Sequence, residues 1–371
     1  MSDTNAKQYH IPKHTRNEMN SQHSSTHRRL MEPKLGTKRS FQTLAQESIT
    51  DSTSIAIGPH HPGFRQHLID NNILPPFYEY PTGGSPKPPQ NMDEIRQALE
   101  KPVKSLSPSA FSDRDFTEFV DLDASTEDKR AILSCLVPII QGDAKDKKDV
   151  AGPIQFTNLK PLTDGRLVPG EPDFYCGSQP ELLYNTARQL LNQYVQPSVQ
   201  DGLVVAPIVP NFLLQAPGLD DSFQQAIRRA IYDGALAARG IHRLQSYMMS
   251  GVKYDSKAYT LSSVYCGGQL KMYTIHPIPP AKGHTEPGFV MTHIKTWLMT
   301  QDADTFRQGA AAFRNGIEWA KRQRDEVIKK ANANGPLDPR DLSDASSDEM
   351  PQPSGMLGNP PRRPGRPVSD M

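Results

Sequence analysis

Residues 210–218 read PNFLLQAPG, and the fold is predicted outward from this stretch. The run from Asn211 to Ala216 is short, apolar and bounded by prolines, which is typical of a strand buried on both faces of a sheet. Pro217 has no N–H to donate, so the hydrogen-bond ladder should end there. We therefore expect a central buried strand that begins at Asn211 and carries Leu214 in the core.

The elements predicted after this strand have clear patterns. Residues 221–239 predict a helix that begins at a cap on Asp220 or Asp221 and stops at Gly240. It should pack on the strand through Phe223, Ile227, Ala230, Ile231 and Ala238. Two alternating runs on either side of Gly267 and Gly268 predict a β-hairpin. Residues 288–299 predict a third strand of that group, and residues 302–335 a long amphipathic helix.

Three apolar segments before residue 210 predict further core elements. Residues 126–142 should form a helix kinked at Pro138, and residues 180–195 should form a second helix. Residues 203–209 predict a short buried strand. The two helical stripes consist of Ile132, Leu133, Leu136, Ile139 and Ile140, and of Leu183, Ala187, Leu190, Leu191 and Tyr194.

This order of elements predicts an α/β (mixed α+β) domain with a small central mixed sheet flanked by helices. We place this core at residues 126–335, with a helical and loop segment wrapping it at 56–125. Hydrophobic residues make up only 36% of the chain and prolines number 34. Because residues 1–55 and 336–371 show no periodic apolar positions, we expect both tails to be disordered.

Composition limits the classes of function. A net charge of +1 gives no overall attraction to nucleic acid or to an anionic membrane, so any such affinity must come from a local patch. No apolar run is long enough to cross a membrane. The three cysteines, Cys135, Cys176 and Cys266, are far apart, which favours a reducing compartment. We expect an intracellular protein, nuclear or cytoplasmic, without a cofactor.

The chain closes with a basic, proline-rich segment at residues 362–367, which reads RRPGRP. This segment resembles an AT-hook, a motif that lies in the narrow minor groove of DNA rich in A·T pairs. Pro364 replaces the first arginine of the motif's core. The alternative is a basic tail without a nucleic-acid contact.

Four segments carry a resemblance to a known family. They are IQFTNLKPLTDGRLVPGEPDFYCGSQPELL (154–183), YDGALAARGIHRLQSY (232–247), AYTLSSVYCGGQLKMYTIHP (258–277) and DADTFRQGAAAFRNGIEWAKRQRDEVI (302–328). Together with FRQHLIDNNI (64–73) and LSPSAFSDRDF (106–116), the match spans residues 60–332, over which the chain resembles a family of uncharacterised proteins of filamentous fungi. That family is similar to a divergent branch of the PD-(D/E)xK nuclease-like fold.

The resemblance implies the positions of a site. In a Mg²⁺-dependent nuclease of this kind, two carboxylates hold the metal and a lysine two residues after the second acid stabilises the reacting charge. Asp173 occupies the position of the first metal-binding carboxylate. Gln215 occupies the position of the second carboxylate, and Pro217 occupies the position of the lysine. Arg229 is the only nearby cation that we can name as a substitute. Taken without the resemblance, Asp173 is also typical of a turn-forming acid after a proline.

Three functions follow as alternatives. The first is a catalytically degenerate nuclease-like domain that binds nucleic acid or a protein, with Asp173, Gln215, Pro217 and Arg229 as remnants of the site. The second is an active Mg²⁺-dependent nuclease that uses Asp173 as a metal ligand together with Glu171 or Asp233. The third is a structural or regulatory fungal protein with no nucleic-acid role.

Overall fold

The computed structural model describes residues 56–142, 147–200, 203–204, 206–218 and 221–336. All of them belong to one of the two compact units of the chain, Ser54–Met371. The predicted disordered tails, apart from residue 336, and the basic segment 362–367 lie outside the described residues.

The described residues form a mixed seven-stranded sheet and a separate two-stranded ribbon. The strands are β1 (Ile73–Leu74), β2 (Val150–Ala151), β3 (Phe174–Ser178), β4 (Val199–Gln200), β5 (Leu203–Val204), β6 (Ile208–Gln215), β7 (Thr260–Cys266), β8 (Gln269–Ile278) and β9 (Gly288–Leu298). The sheet order is β1-β9-β8-β7-β6-β3-β2, and β4 pairs with β5 in the ribbon. A mixed α/β domain with a central sheet is thereby confirmed.

Helices cover both faces of this sheet. They are α1 (Phe64–Asp70), α2 (Met92–Leu99), α3 (Asp113–Ser125), α4 (Lys129–Ala131), α5 (Val137–Gln141), α6 (Asn185–Leu190), α7 (Asn192–Val195), α8 (Phe223–Gln245) and α9 (Ala303–Asn334). Helices α1 and α8 enclose one apolar cluster, and α2, α3, α5 and α9 enclose another on the opposite face.

Strand β6 lies inside the sheet, and all eight of its residues are buried. Its neighbours are β3, which is antiparallel, and β7, which is parallel and reached through α8. Leu213 packs in the cluster under α8, whereas Leu214 packs in the cluster under α9. The predicted central buried strand is confirmed, although it begins at Ile208. Asn211 lies inside it, where its buried amide donates a hydrogen bond to Ala320 O at 2.7 Å.

Helix α8 packs on the sheet as predicted, but both of its ends differ from the prediction. It begins after Ser222, whose side chain accepts a hydrogen bond from the Gln225 N–H in a capping box. It continues past Gly240 to Gln245. A Cβ at Gly240 would lie 2.5 Å from Tyr194 O, so this glycine allows a close approach of α7 and does not end the helix.

The second half of the fold agrees with its sequence patterns. Strands β7 and β8 form the predicted hairpin, and the turn residues Gly267 and Gly268 have φ values of +54° and +69°. Both angles lie in the left-handed region that suits glycine. Strand β9 and helix α9 are also confirmed.

The helix predicted over residues 126–142 is confirmed as one helical run, in which α4, a π-helical turn at Ile132–Leu136 and α5 follow one another and end at Gly142. Its irregularity is the π-helical turn, since Pro138 lies in the first turn of α5. The predictions for residues 180–195 and 203–209 were wrong in detail. The former segment breaks into a 3₁₀ turn, α6 and α7, and Leu190 is 66% exposed. In the latter, Leu203–Val204 belong to the ribbon, while β6 starts only at Ile208.

The segment 56–125 supplies buried side chains to both faces of the sheet. Phe64, Leu68 and Ile73 join the cluster under α8, and Leu99 and Phe119 join the cluster under α9. Strand β1 pairs in parallel with β9 at one edge of the sheet.

Two observations bear on the expectations drawn from composition. Over the described ranges, the helices lack the combination of length and apolar character that crossing a membrane requires. Cys135, Cys176 and Cys266 are all free thiols.

Candidate functional site

Asp173 lies directly before β3, next to the end of β6. Its carboxylate Oδ2 accepts a hydrogen bond from the backbone N–H of Ala216 at 2.7 Å. The other oxygen, Oδ1, forms an ion pair with Nζ of Lys129. The side chain of Asp173 is fully buried, whereas that of Lys129 is 34% exposed. Asp173 is therefore a buried carboxylate with a partner on each oxygen.

Gln215, the last residue of β6, joins the strand to α8. Its amide Nε2 donates one hydrogen bond to Oδ2 of Asp233 at 2.7 Å and another to the backbone oxygen of Glu171 at 3.1 Å. The residue is 1% exposed. A neutral amide that donates to a carboxyl group differs chemically from the second metal-binding carboxylate of a nuclease.

Asp233 projects from α8 into the same buried network. Its Oδ1 accepts a hydrogen bond from the backbone N–H of Glu171 at 3.2 Å. Burial, and after it the negative charge of Asp173, raise the pKa of Asp233 to about 8, because the charged form loses its hydration. The Asp233 carboxyl group therefore keeps its proton to a higher pH than a carboxyl group in water.

Burial also raises the pKa of Asp173 above its usual value. The Lys129 ammonium and the Ala216 N–H act in the opposite direction, since both stabilise the carboxylate. The ionised state of Asp173 thus depends on its contact with Lys129.

Gly170 makes room for the Asp233 carboxyl group. A Cβ at this position would lie 2.5 Å from Oδ1 of Asp233 and 2.9 Å from Cδ1 of Leu236. A side chain on residue 170 would therefore force the side chains of Asp233 and Leu236 to move.

A small cavity of about 130 Å³ lies over this network. Its walls include the side chains of Lys129, Glu171, Arg229 and Asp233, but Asp173 and Gln215 do not line it. The cavity is much smaller than the roughly 300–1,000 Å³ of typical ligand sites.

Two of the predicted site residues have their main contacts elsewhere. Arg229 forms an ion pair with Asp221 at 3.2 Å, and its Nη2 lies 3.0 Å from Nε2 of His60. The Glu171 carboxylate accepts a hydrogen bond from Gln155 at 3.2 Å and is solvent exposed. Gln215 and Asp233 are therefore hydrogen bonded to each other and to the Glu171 backbone, and the charge of Asp173 acts on Asp233 from beside them. Arg229 and the Glu171 carboxylate lie at the rim of this group.

The cation that reaches Asp173 is Lys129, a residue that the sequence analysis did not select. Arg229 is not the only nearby cation, as we had expected, because Lys129 contacts Asp173 directly, whereas the charge of Arg229 acts on Asp173 and Asp233 from a greater distance. Pro217 is buried beyond the end of β6 and brings no charge. Asp128 caps α4 by accepting a hydrogen bond from the Ala131 N–H at 2.9 Å, and this cap fixes Lys129 at the start of the helix.

The contacts limit the chemistry of this network. Each carboxyl oxygen of Asp173 and Asp233 already has a protein partner. Mg²⁺ prefers octahedral oxygen ligands at about 2.0–2.1 Å, so its entry would require the Lys129 ammonium to leave Oδ1 of Asp173. Over the described part of the chain, no cluster of three or more His, Cys, Asp or Glu side chains is suited to a metal ion.

Comparisons with protein-family models, with curated proteins and with solved structures gave no match. The filamentous-fungal family and the nuclease-like fold suggested by the sequence therefore stay predictions.

Proposed function

We propose that this chain is a nuclease-like protein that binds nucleic acid or a protein and does not cleave nucleic acid. One observation carries the proposal: the buried carboxylate of Asp173 is ion paired with Lys129, where a metal ion would have to bind. The proposal includes the PD-(D/E)xK nuclease-like fold and the fungal family that the sequence resembles. A nuclear or cytoplasmic location also belongs to it.

Two neighbouring features support the loss of cleavage. Gln215 and Pro217 stand where the resemblance implies an acid and a lysine. Removing one preorganised charge-stabilising group from an active site lowers the rate by about 10²–10³. Loss of a metal-binding acid as well should reduce cleavage further.

A second candidate function is an active Mg²⁺-dependent nuclease. The observation that favours it is the same contact of Lys129 with Asp173, since this ammonium could supply the charge that Pro217 lacks. Glu171 and Asp233 line the cavity beside Lys129 and would be the remaining acids. In this function the ion pair would open when a metal binds.

Cleavage assays separate the two candidates. The full chain is incubated with plasmid, single-stranded DNA and RNA in Mg²⁺, in Mn²⁺ and in EDTA, and compared with the variants Asp173→Ala and Lys129→Met. Asp121→Ala and Arg130→Met are the matched controls, because both residues are solvent exposed.

We expect no metal-dependent cleavage by the wild type. Cleavage that requires Mg²⁺ or Mn²⁺ and disappears in Asp173→Ala and Lys129→Met, but not in the two controls, would refute the proposal and establish the nuclease.

A further inference from the structure

A second, larger cavity lies on the same side of the sheet as α8. It measures about 450 Å³ and is bordered by α1, the first turns of α8, and strands β8 and β9. Six residues define its chemistry: Arg65, Phe77, Phe223, Arg228, Lys271 and His293. Its volume falls within the roughly 300–1,000 Å³ of ligand sites.

The cavity carries a concentrated positive charge. Arg65, Arg228 and Lys271 come from three different elements, and no Asp or Glu occurs among the described residues that line the cavity. The chain as a whole has a net charge of only +1. This cavity is therefore a local patch of the kind that anion binding requires in such a chain.

Two of the three cations are held at the cavity by defined contacts. Nζ of Lys271 lies 4.2 Å from the centre of the Phe223 ring, a cation–π contact, and Nη1 of Arg228 donates to Pro59 O at 3.0 Å. Neither contact neutralises the charge.

An exposed aromatic ring stands at the rim of the cavity. Phe77 is 82% exposed and has a φ of +60°, a left-handed conformation that is unusual for a bulky residue. Its ring centre lies 5.6 Å from that of His293, which in turn lies 5.5 Å from that of Tyr273. The fold thus presents a ring to solvent next to two further rings that line the cavity.

His293 adds a flat, uncharged surface to this row. Burial and the charge of Lys271 lower the pKa of His293, and its Nε2 lies 2.9 Å from Oγ1 of Thr296. With its pKa below the ordinary value, the imidazole is mostly uncharged at pH 7 and adds an aromatic ring between those of Phe77 and Tyr273.

We propose that this cavity binds single-stranded nucleic acid, with a base stacked on Phe77 and phosphates near Arg65, Arg228 and Lys271. Exposed rings next to unpaired positive charge are the two features that proteins use to bind single strands without sequence preference. A duplex hides the faces of its bases, so it cannot use the ring. This proposal rests on the proposed binding function, and single-stranded nucleic acid is the partner that it assigns.

The cavity is also close in the fold to the candidate site. Helix α1 contributes Phe64 to the small cavity over Asp233 and Arg65 to the larger one. Arg228 and Arg229 are consecutive residues of α8 that line the larger and the smaller cavity, respectively. A strand bound at the larger cavity would therefore lie beside the nuclease-like network.

The test is fluorescence anisotropy with a short labelled oligothymidylate, in EDTA so that cleavage cannot contribute. Wild type is compared with Phe77→Ala, Phe77→Tyr and Lys271→Ala, each checked for its native melting temperature. Arg65→Ala is a further charge variant, since Arg65 is exposed on α1. Lys104→Ala, an exposed lysine beside a different cavity, is the matched control.

Phe77→Ala should weaken binding by roughly 5- to 100-fold, as the loss of one stacked base does, and Phe77→Tyr should not. The plot of log affinity against log salt has a negative slope. Its magnitude should decrease by about 0.7 in Lys271→Ala and by about 0.7 in Arg65→Ala, since each variant removes one cation. Phe77→Ala should leave that slope unchanged. Lys104→Ala should alter neither quantity.

Other results would refute the inference. These are no binding by the wild type, equal affinity of Phe77→Ala and wild type, equal affinity for duplex DNA, or displacement of the oligonucleotide by an equal charge of polyglutamate. Failure here is distinct from failure of the proposed function, because binding is measured in EDTA with the oligonucleotide, whereas cleavage is measured in a separate assay in Mg²⁺.

Discussion

Replacing Lys129 with methionine should destabilise the protein more at alkaline than at acidic pH. Methionine keeps the length of the side chain and removes the ammonium group that contacts Oδ1 of Asp173. The buried carboxylate would then keep only its hydrogen bond from the Ala216 N–H. Its pKa, already raised by burial, should rise further.

The magnitude follows from the burial of the two partners. Removing one partner of a buried ion pair costs about 3–5 kcal/mol. Lys129 is 34% exposed, and Asp173 can take up a proton, so both effects lower the cost. We expect Lys129→Met to lose about 1–3 kcal/mol of unfolding free energy at pH 8.

The sign of the pH dependence is fixed by proton binding. In the variant the folded pKa of Asp173 lies above its unfolded value, so the folded state binds more protons between the two. Stability therefore falls as pH rises through that range. Because burial raises the pKa of Asp173 in the wild type as well, the loss caused by Lys129→Met should grow as pH rises from the folded pKa of the wild type to that of the variant, and it should be larger at pH 8 than at pH 5.

Urea unfolding, followed by the fluorescence of Trp297 and Trp319, measures this effect at several pH values. Arg130→Met, which changes an exposed neighbour, is the control. In the double variant Lys129→Met/Asp173→Asn, the cost should be smaller than the sum of the single costs by about 1 kcal/mol. A loss that is the same at pH 5 and pH 8, or additive costs in the double variant, would refute the ion-pair reasoning.

Three further outcomes are expected. Leu214→Ala should lower the free energy of unfolding, measured in urea, by about 2–5 kcal/mol because it opens a cavity under α9. Leu298→Ala changes a side chain that is 45% exposed, so it should change this free energy by about 0.5 kcal/mol or less. The pKa of about 8 for Asp233 lies above its unfolded value of about 4, so the unfolding free energy should fall as pH rises between them, and less steeply in Asp233→Asn. Gly170→Ala should lower the melting temperature, because its Cβ would press on the Asp233 carboxyl group; an unchanged melting temperature would contradict that contact.

The part of the fold that follows residue 207 could be predicted because its patterns are local. The alternation around Gly267 and Gly268 and the apolar stripe of α8 each fit within one element. Residues before 207 were harder to predict. Ile73 pairs with Phe289 of β9, and this contact between distant residues leaves no local periodicity. Leu190 fits a helical stripe in sequence, but α6 ends there and the side chain faces solvent.

The candidate site could be predicted only in part, for a similar reason. Asp173 and Gln215 were selected because a family pattern fixes their positions in sequence. Lys129 was missed because its contact depends on how α4 packs against the start of β3, which no spacing encodes. The network of Gln215 with Asp233 was missed as well, since it depends on the rotation of α8 over β6.

The central claim is that the ion pair with Lys129 closes the Asp173 site to metal. Measuring whether a metal ion binds at Asp173 tests it most directly. Mn²⁺ is titrated into the wild type and into Asp173→Ala at neutral pH, and bound metal is measured from the electron paramagnetic resonance signal of free Mn²⁺. Because Lys129 holds the carboxylate of Asp173, we expect the two proteins to bind Mn²⁺ equally weakly. One equivalent of Mn²⁺ bound by the wild type and lost in Asp173→Ala would contradict the claim that this site is closed to metal.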